Sequence, residues 1–279
     1  MNKQKIIYIV LLVVLLIVFA VSAVYVVSYF LEGQKQQEQF DELANIVDSI
    51  RTETNDSTQP TTPRANSGTT DPTEVETTPD GETVPTEPTM LPEYAALYEL
   101  NSDIVGWIKI DGTVINYPVM QTPDSIDFYL KRNFNKENSE RGCIYVREQC
   151  DVNEPSDNLT IYGHNMNDGS MFHSLKSYQT KSYWESNNII VFDTLYERHT
   201  YQIFAVFKTT ASVNQGFTYH LFVDAEDEAD FNDFIATCKE LSFYDTGITP
   251  VYGDKIICLS TCEYTQHNGR LVVAAVRIS

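Results

Sequence analysis

The pattern of apolar and polar residues divides the chain into three regions, and the first is an uncharged apolar run at residues 6–31. As a helix, this run would be about 39 Å long, against about 30 Å for the hydrocarbon core of a bilayer. It therefore predicts a transmembrane helix. Lys3 and Lys5 precede it, so the positive-inside rule places residues 1–5 in the cytoplasm and the rest of the chain outside. A cleaved signal peptide, with a mature N-terminus at Val24, is the alternative.

A helical pattern and then a polar tract follow the apolar run. Residues 32–51 repeat apolar side chains at helical spacing, which predicts a juxtamembrane amphipathic helix. Its apolar positions are Phe40, Leu43, Ile46, Val47 and Ile50. The membrane surface, the folded domain and a second copy of the chain are all open as its partner. Residues 52–89 are dominated by Thr, Pro, Asp and Glu, which cannot offset chain entropy by burial, so they predict a disordered linker.

Residues 90–279 carry the strand and helix signals of one folded domain. Asp111-Gly112 is a hairpin turn signal between two apolar segments. Apolar runs predict eight strands, at 104–110, 114–119, 143–147, 158–162, 189–193, 201–209, 255–262 and 271–278. Helical spacing predicts fewer helices, at 91–100, 125–132, 170–178 and 226–241. This content predicts a mainly β fold, a closed barrel of about eight strands with a few inserted helices, since closure removes exposed strand edges.

The charge and the cysteines exclude several classes of function. The chain has 39 acidic and 19 basic residues and a net charge of −20, which disfavours nucleic acid as a partner because phosphates require basic patches. Five cysteines cannot all pair, and no Cys-x-x-Cys motif is present, which argues against a zinc or redox centre. The acidic residues show no calcium-loop spacing. We therefore predict no metal site and no cofactor.

Three residues lie where an enzyme would place reactive groups. Cys262 is at the end of a predicted strand, Arg270 opens the next strand, and His164 directly follows another. A thiolate is a strong nucleophile, a histidine transfers protons near neutral pH, and a guanidinium binds a developing oxyanion. His267, in the polar turn between Cys262 and Arg270, is the rival for the role of the histidine.

At these residues the chain resembles the sortases, which are membrane-anchored cysteine transpeptidases of Gram-positive bacteria. The resemblance covers residues 90–279, and its motifs are Leu259-Ser260-Thr261-Cys262, Arg270 and Tyr162-Gly163-His164. The segments at 101–108 and 133–136 and the helix at 226–241 are similar to class B sortases. The resemblance implies a sortase-type barrel preceded by an anchor and a linker. Cys258 stands where the family usually has Thr, and we expect a variation in packing there.

The resemblance also implies a mechanism and two partners. Cys262 would attack a sorting motif near the C-terminus of a secreted protein and form a thioacyl intermediate, which an amine of a cell-wall peptide precursor would resolve. His164 would act as the general acid, and Arg270 would stabilise the oxyanion. The pocket and the oxyanion site would be completed by Ser260, Thr261 and the backbone amide of Glu263. Two alternatives stay open: a cysteine endopeptidase that only hydrolyses, and a non-catalytic surface module in which Cys262 is inert.

Overall fold

Most of the chain after residue 88 belongs to one closed sheet. The structure, a computed structural model, describes residues 3–56, 88–212 and 215–279. Its eight strands are β1 (Ile104–Lys109), β2 (Asn116–Met120), β3 (Ile144–Val146), β4 (Asn158–Tyr162), β5 (Ile189–Thr194), β6 (Thr200–Thr210), β7 (Ile256–Glu263) and β8 (Gly269–Arg277). They hydrogen-bond in the order β1-β2-β3-β4-β7-β8-β6-β5, and β5 pairs again with β1. The pairs β2–β3 and β4–β7 are parallel. The predicted mainly β fold with eight strands in a closed sheet is confirmed.

Helices are the minority in the folded domain. The helices are α1 (Lys3–Asp56), α2 (Pro92–Leu100), α3 (Lys181–Ser186) and α4 (Glu228–Leu241), with 3-10 helices at Phe128–Lys131, Phe172–Gln179 and Tyr219–Leu221. Two predicted helices, at 125–132 and 170–178, are therefore shorter and tighter than the sequence indicates. Asp127 and Met171 precede these two 3-10 helices with positive φ values of 52° and 56°, and a residue with a positive φ cannot belong to a right-handed helix.

α1 is one helix where the sequence predicts two. It continues without a break from the apolar run into residues 32–51, because Glu, Lys and Gln are good helix formers. By length and composition it is long and apolar enough to cross a membrane. α1 also includes residues 52–56, so the first five residues of the predicted linker at 52–89 are helical. Residues 57–87 of that predicted linker lie outside the described residues.

The amphipathic part of α1 packs on the folded domain. Phe40, Leu43 and Val47 are buried, and the rings of Phe40 and Tyr117 meet edge to face with 5.2 Å between their centroids. The sequence leaves three partners open for this helix. The structure shows that its partner is the folded domain.

β7 is buried on both faces, which explains why it reads as a continuous apolar run. Ile257 and Leu259 belong to the main core, whereas Ile256 and Cys258 belong to a second cluster beneath α4. Side chains alternate along a strand, so Ser260 and Cys262 lie on the same side of the sheet as Cys258. β7 thus runs from Cys258, which is buried beneath α4, to Cys262 at the edge of the sheet.

Candidate active site

The carboxyl ends of β4 and β7 meet at one edge of the sheet. These strands pair in parallel from Asn158 with Ile256 to Tyr162 with Ser260. Gly163 continues the ladder, since its backbone N donates to the carbonyl oxygen of Ser260 at 3.1 Å. A Cβ atom at Gly163 would lie 2.5 Å from Ile144 Cδ1 and 2.6 Å from Phe172 Cδ2, so only glycine fits. The parallel pairing therefore brings His164 and Cys262 to the same edge.

Arg270 reaches the same edge through an antiparallel pair. Cys262 and Arg270 are direct partners in the β7–β8 ladder, and such partners have Cβ atoms about 5 Å apart. A cleft of about 310 Å³ opens here. Its lining includes His164, Ser260, Thr261, Cys262 and Arg270. Three candidate reactive groups that are distant in the sequence thus share one cleft.

The imidazole of His164 is held by a backbone carbonyl. Its Nε2 lies 2.7 Å from the carbonyl oxygen of Leu130. A carbonyl oxygen only accepts, so Nε2 carries the hydrogen and Nδ1 is the nitrogen left to exchange a proton. His267, the rival, is exposed and does not line the cleft.

Cys262 is the one partly exposed thiol among the five cysteines, all of which the structure describes. Its backbone carbonyl accepts a hydrogen bond from Asn165 Nδ2 at 2.9 Å. The guanidinium of Arg270 donates to the carbonyl oxygen of Gly269 at 3.0 Å and forms no ion pair within the described residues. Its positive charge is therefore available to a bound substrate.

The other three predicted site residues differ in their contacts. Ser260 is buried, and its Oγ lies 2.6 Å from the hydroxyl of Tyr219. Thr261 is also buried, and its Oγ1 has no hydrogen-bond partner in the described part of the chain. The carboxylate of Glu263 pairs with Lys208 at 3.0 Å, and Glu263 does not line the cleft. Its predicted contribution is the backbone amide, which this ion pair does not involve.

Comparisons with known proteins identify the family of this fold. The family model of the sortase domain matches residues 108–278, which is more than half of the chain. Sortase B of Staphylococcus aureus is 34% identical over 186 residues, a match that covers 66% of this chain and 74% of that protein. This chain belongs to the sortase family.

Two solved structures of sortase B have the same architecture. The Staphylococcus aureus sortase B–substrate complex superposes with a TM-score of 0.71 at 27% identity and covers 89% of this chain and 99% of that chain. A sortase B complexed with triglycine has a TM-score of 0.70 at 26% identity, with 88% and 99% covered. The class B resemblance read from the sequence is confirmed, and the chain belongs to a family of transpeptidases.

The sortase cleft also contains residues that the sequence does not indicate. Tyr219 and His220 come from the 3-10 helix before α4, and Arg147 and Glu148 follow β3. Burial, followed by the charges of Arg147 and Arg270, lowers the pKa of His220. None of these residues ends a long apolar run, and only the closing of the sheet brings them to Cys262. The guanidinium groups of Arg147 and Arg270 therefore act on His220 on this side of the sortase cleft.

Cys258 occupies a position without polar partners. It is fully buried beneath α4, and its thiol makes no hydrogen bond within the described residues. A thiol at this site behaves as a small apolar side chain. Burial raises the pKa of Cys258 well above its ordinary value, so this thiol stays protonated.

Proposed function

We propose that this chain is a membrane-anchored cysteine transpeptidase. Its substrate is the C-terminal sorting motif of a secreted protein, and its acceptor is an amine of a cell-wall peptide precursor. The observation that carries the proposal is the meeting of Cys262, His164 and Arg270 in one cleft of a sortase-family domain. A substrate complex and a triglycine complex of sortase B support a peptide substrate and a peptide amine as the two partners.

The first half of the reaction makes a thioester. The thiolate of Cys262 attacks the carbonyl carbon of the scissile peptide bond, and the carbonyl oxygen becomes an oxyanion. Arg270 stabilises that charge with hydrogen bonds from its guanidinium, and the backbone amide of Glu263 contributes to the same site. The carbon–nitrogen bond then breaks, and His164 protonates the leaving amine. Ser260 and Thr261 shape the pocket beside the thiol.

The second half transfers the acyl group. An amine of the acceptor gives a proton to His164 and attacks the thioester carbonyl, and the thiolate of Cys262 leaves. A new amide bond forms, and the enzyme returns to its starting state. Water in place of the amine would give hydrolysis, so the acceptor decides between a transpeptidase and an endopeptidase.

The proposed membrane location is supported by α1 and by the charges that precede its apolar run. Lys3 and Lys5 precede the apolar run, which supports a cytoplasmic N-terminus and an outward-facing domain. A cleft on that side would meet secreted chains as they emerge from the membrane. A mature N-terminus at Val24 in the purified protein would instead indicate a cleaved signal peptide.

The decisive test combines a peptide panel with matched variants. The full chain is incubated with candidate sorting peptides and triglycine, and products and the acyl-enzyme are identified by mass. Cys262→Ala, His164→Ala and Arg270→Ala are expected to abolish the thioacyl enzyme, because each removes one group from the reaction. Cys258→Ala and His267→Ala are the controls, and both are expected to retain it.

Each other outcome of this test contradicts a defined part of the proposal. Hydrolysis alone at saturating triglycine would identify an endopeptidase. Activity that disappears in His267→Ala and persists in His164→Ala would move the general acid to the β7–β8 turn. Failure of every peptide to acylate Cys262, together with no labelling of that thiol by iodoacetamide, would favour the non-catalytic surface module.

A further inference from the structure

α1 contacts the folded domain beside the residues that hold His164. Gln36 is buried, and its Nε2 donates to the carbonyl oxygen of Gly142 at 2.7 Å while its Oε1 accepts from Ser139 Oγ at 2.6 Å. One turn earlier, Gly33 faces the guanidinium of Arg141 so closely that a Cβ atom there would overlap Arg141 Nη2. Both contacts fall on residues 139–142, which we call the bridging segment.

The bridging segment reaches His164 first through Arg141. Its buried guanidinium pairs with Asp168, and its Nη1 donates to Ser170 Oγ at 3.0 Å. Both partners lie in residues 164–172, the His164 hairpin. The hairpin is closed by a bridge between Asn165 and Met171 and by a hydrogen bond from Phe172 N to the carbonyl oxygen of His164 at 2.9 Å. Arg141 therefore fixes the tip of the hairpin that carries the candidate general acid.

The same hairpin also contacts the nucleophile strand. Asn165, the residue after His164, donates from its side chain to the carbonyl oxygen of Cys262. A shift of the hairpin would therefore change the position of His164 and the support of Cys262 together.

A second path runs through the backbone of Leu130. Gly142 has a φ of 56°, and a Cβ atom there would overlap the carbonyl oxygen of Leu130. The next residue, Cys143, donates from its backbone N to the carbonyl oxygen of Tyr129 at 2.9 Å. The carbonyl oxygen of Leu130 is the acceptor of His164 Nε2. The bridging segment thus supports both the hairpin beneath His164 and the acceptor that orients its ring.

We infer that α1 sets the position of His164 through the bridging segment, with Gln36 and Arg141 as positioning residues. Neither touches the cleft; they act through Asp168, Ser170 and Leu130. The inference rests on the proposed role of His164 as general acid. A misplacement of a catalytic group by about 1 Å costs on the order of 100-fold in rate, so the supporting contacts have a kinetic consequence.

Gly33→Ala separates positioning from stability. Alanine favours a helix interior over glycine, so a purely structural role of Gly33 predicts an equal or more stable protein with unchanged turnover. Displacement of Arg141 by the new methyl group predicts instead that kcat falls by about tenfold or more with KM nearly unchanged. Asn45→Ala, on the exposed face of the same helix, is the matched control and is expected to keep wild-type kcat.

Variants at the Arg141–Asp168 pair test the same path from the other end. Arg141→Ala and Asp168→Ala are each expected to lower kcat. The double variant is expected to have a kcat no lower than that of the more severe single variant, because all three variants lose the same contact. Arg141→Lys keeps the charge and is expected to recover part of kcat. The pH profile of kcat is expected to change in the limb that depends on His164, which a loss of stability alone would not do.

The measurements use the full chain in lipid nanodiscs, with Cys262→Ala as the reference for the proposed function. Wild-type kcat and an unchanged pH profile in Gly33→Ala and Arg141→Ala, beside an inactive Cys262→Ala, would overturn the inference and leave the proposed function intact. An active Cys262→Ala would overturn the proposed function itself. If Arg141→Ala fails to fold, Gly33→Ala decides, since its substitution favours the helix.

Discussion

The five thiols of the chain differ in burial. Cys143, Cys150, Cys238 and Cys258 are buried, and burial raises the pKa of each of them. Cys262 is partly exposed at the cleft. Only a thiolate reacts readily with an alkylating reagent, so burial protects the other four thiols both by limiting access and by disfavouring ionisation.

We therefore expect iodoacetamide at pH 8 to modify the native protein once, at Cys262. Peptide mass mapping identifies the modified residue. In Cys262→Ala the native protein is expected to remain unlabelled, and all four other cysteines are expected to react after unfolding in guanidinium chloride. Rapid modification of Cys258 in the native state would contradict the burial seen beneath α4.

The Tyr219–Ser260 pair predicts a measurable coupling. Both residues are buried, and burial raises the pKa of Tyr219 to about 12, so its hydroxyl is neutral. Removal of one partner leaves the other without its hydrogen bond, at a cost of about 1–3 kcal/mol. Tyr219→Phe and Ser260→Ala are each expected to lower the free energy of unfolding, and the double variant is expected to lose less than the sum. Full additivity in urea unfolding would show that the contact contributes nothing.

Single residues could be predicted where local pattern and chemistry coincide. Cys262 and Arg270 stand at the end and start of two long apolar runs, and His164 follows a third, so the sequence indicates all three. Asn165 and Tyr219 could not be identified, because their roles arise from contacts with strands far away in the sequence. The acceptor at Leu130 is a backbone carbonyl. Every residue has one, so the sequence does not indicate which carbonyl binds His164.

Elements were predicted best where they were long and regular. The eight strands and α4 lie close to their expected bounds. The parallel pairing of β4 with β7 could not be derived, since apolar periodicity reports which face is buried and not which strand is the neighbour. The same limit applies to α1, whose apolar stripe indicates a partner without identifying it.

Near its C-terminal end, α1 forms a partly buried charge cluster with the domain. Arg51 contacts Glu93 at 3.1 Å and pairs with Asp193, and Arg198 contacts Glu93 at 2.5 Å. Burial alone would raise the pKa of Glu93, but hydrogen bonds from Arg198 and Arg51 outweigh it and hold the pKa below its ordinary value of 4.5. The folded state therefore favours the ionised carboxylate.

This shift predicts an acid-sensitive contact between α1 and the domain. The stabilisation is complete above about pH 4.5, the ordinary value for glutamate, and is lost as the pH falls through the lower pKa of the folded state. Glu93→Gln is expected to lower stability at pH 7 and to reduce its fall below pH 4.5, measured by urea unfolding across the pH range. The control is Glu99→Gln, because Glu99 is an exposed carboxylate on α2, the helix that also contains Glu93. An unchanged pH dependence in Glu93→Gln would show that this carboxylate does not titrate as the cluster implies.

At the scale of the whole molecule, two connections join the apolar run to the domain. One is the covalent chain through residues 57–87, and the other is the packing of α1 against β2, α2 and the bridging segment. The sequence predicts the first and cannot predict the second, because docking depends on a surface that forms only when the sheet closes.

The second connection predicts that the domain stays on its helix after the chain is cut. A protease site is inserted between residues 60 and 80, and the protein is cleaved in nanodiscs. The domain is expected to remain with the nanodiscs on size-exclusion chromatography, because buried apolar and charged contacts persist. Arg51→Ala in the cleaved protein is expected to increase release, since the buried carboxylates of Glu93 and Asp193 lose a positive partner. Complete release of the wild-type domain would show that the covalent chain alone retains it.

The unbroken course of α1 has a consequence for which proteins can be processed. In the proposed orientation, Gln36 on the domain is only five positions after Leu31, the last residue of the apolar run, a rise of about 8 Å along a helix. The cleft would then lie at a fixed height above the lipid. A sorting motif would be cleaved only if its spacer, the chain segment between the motif and the membrane, brought it to that height. Selection among secreted proteins would depend on spacer length as well as on the sequence of the motif.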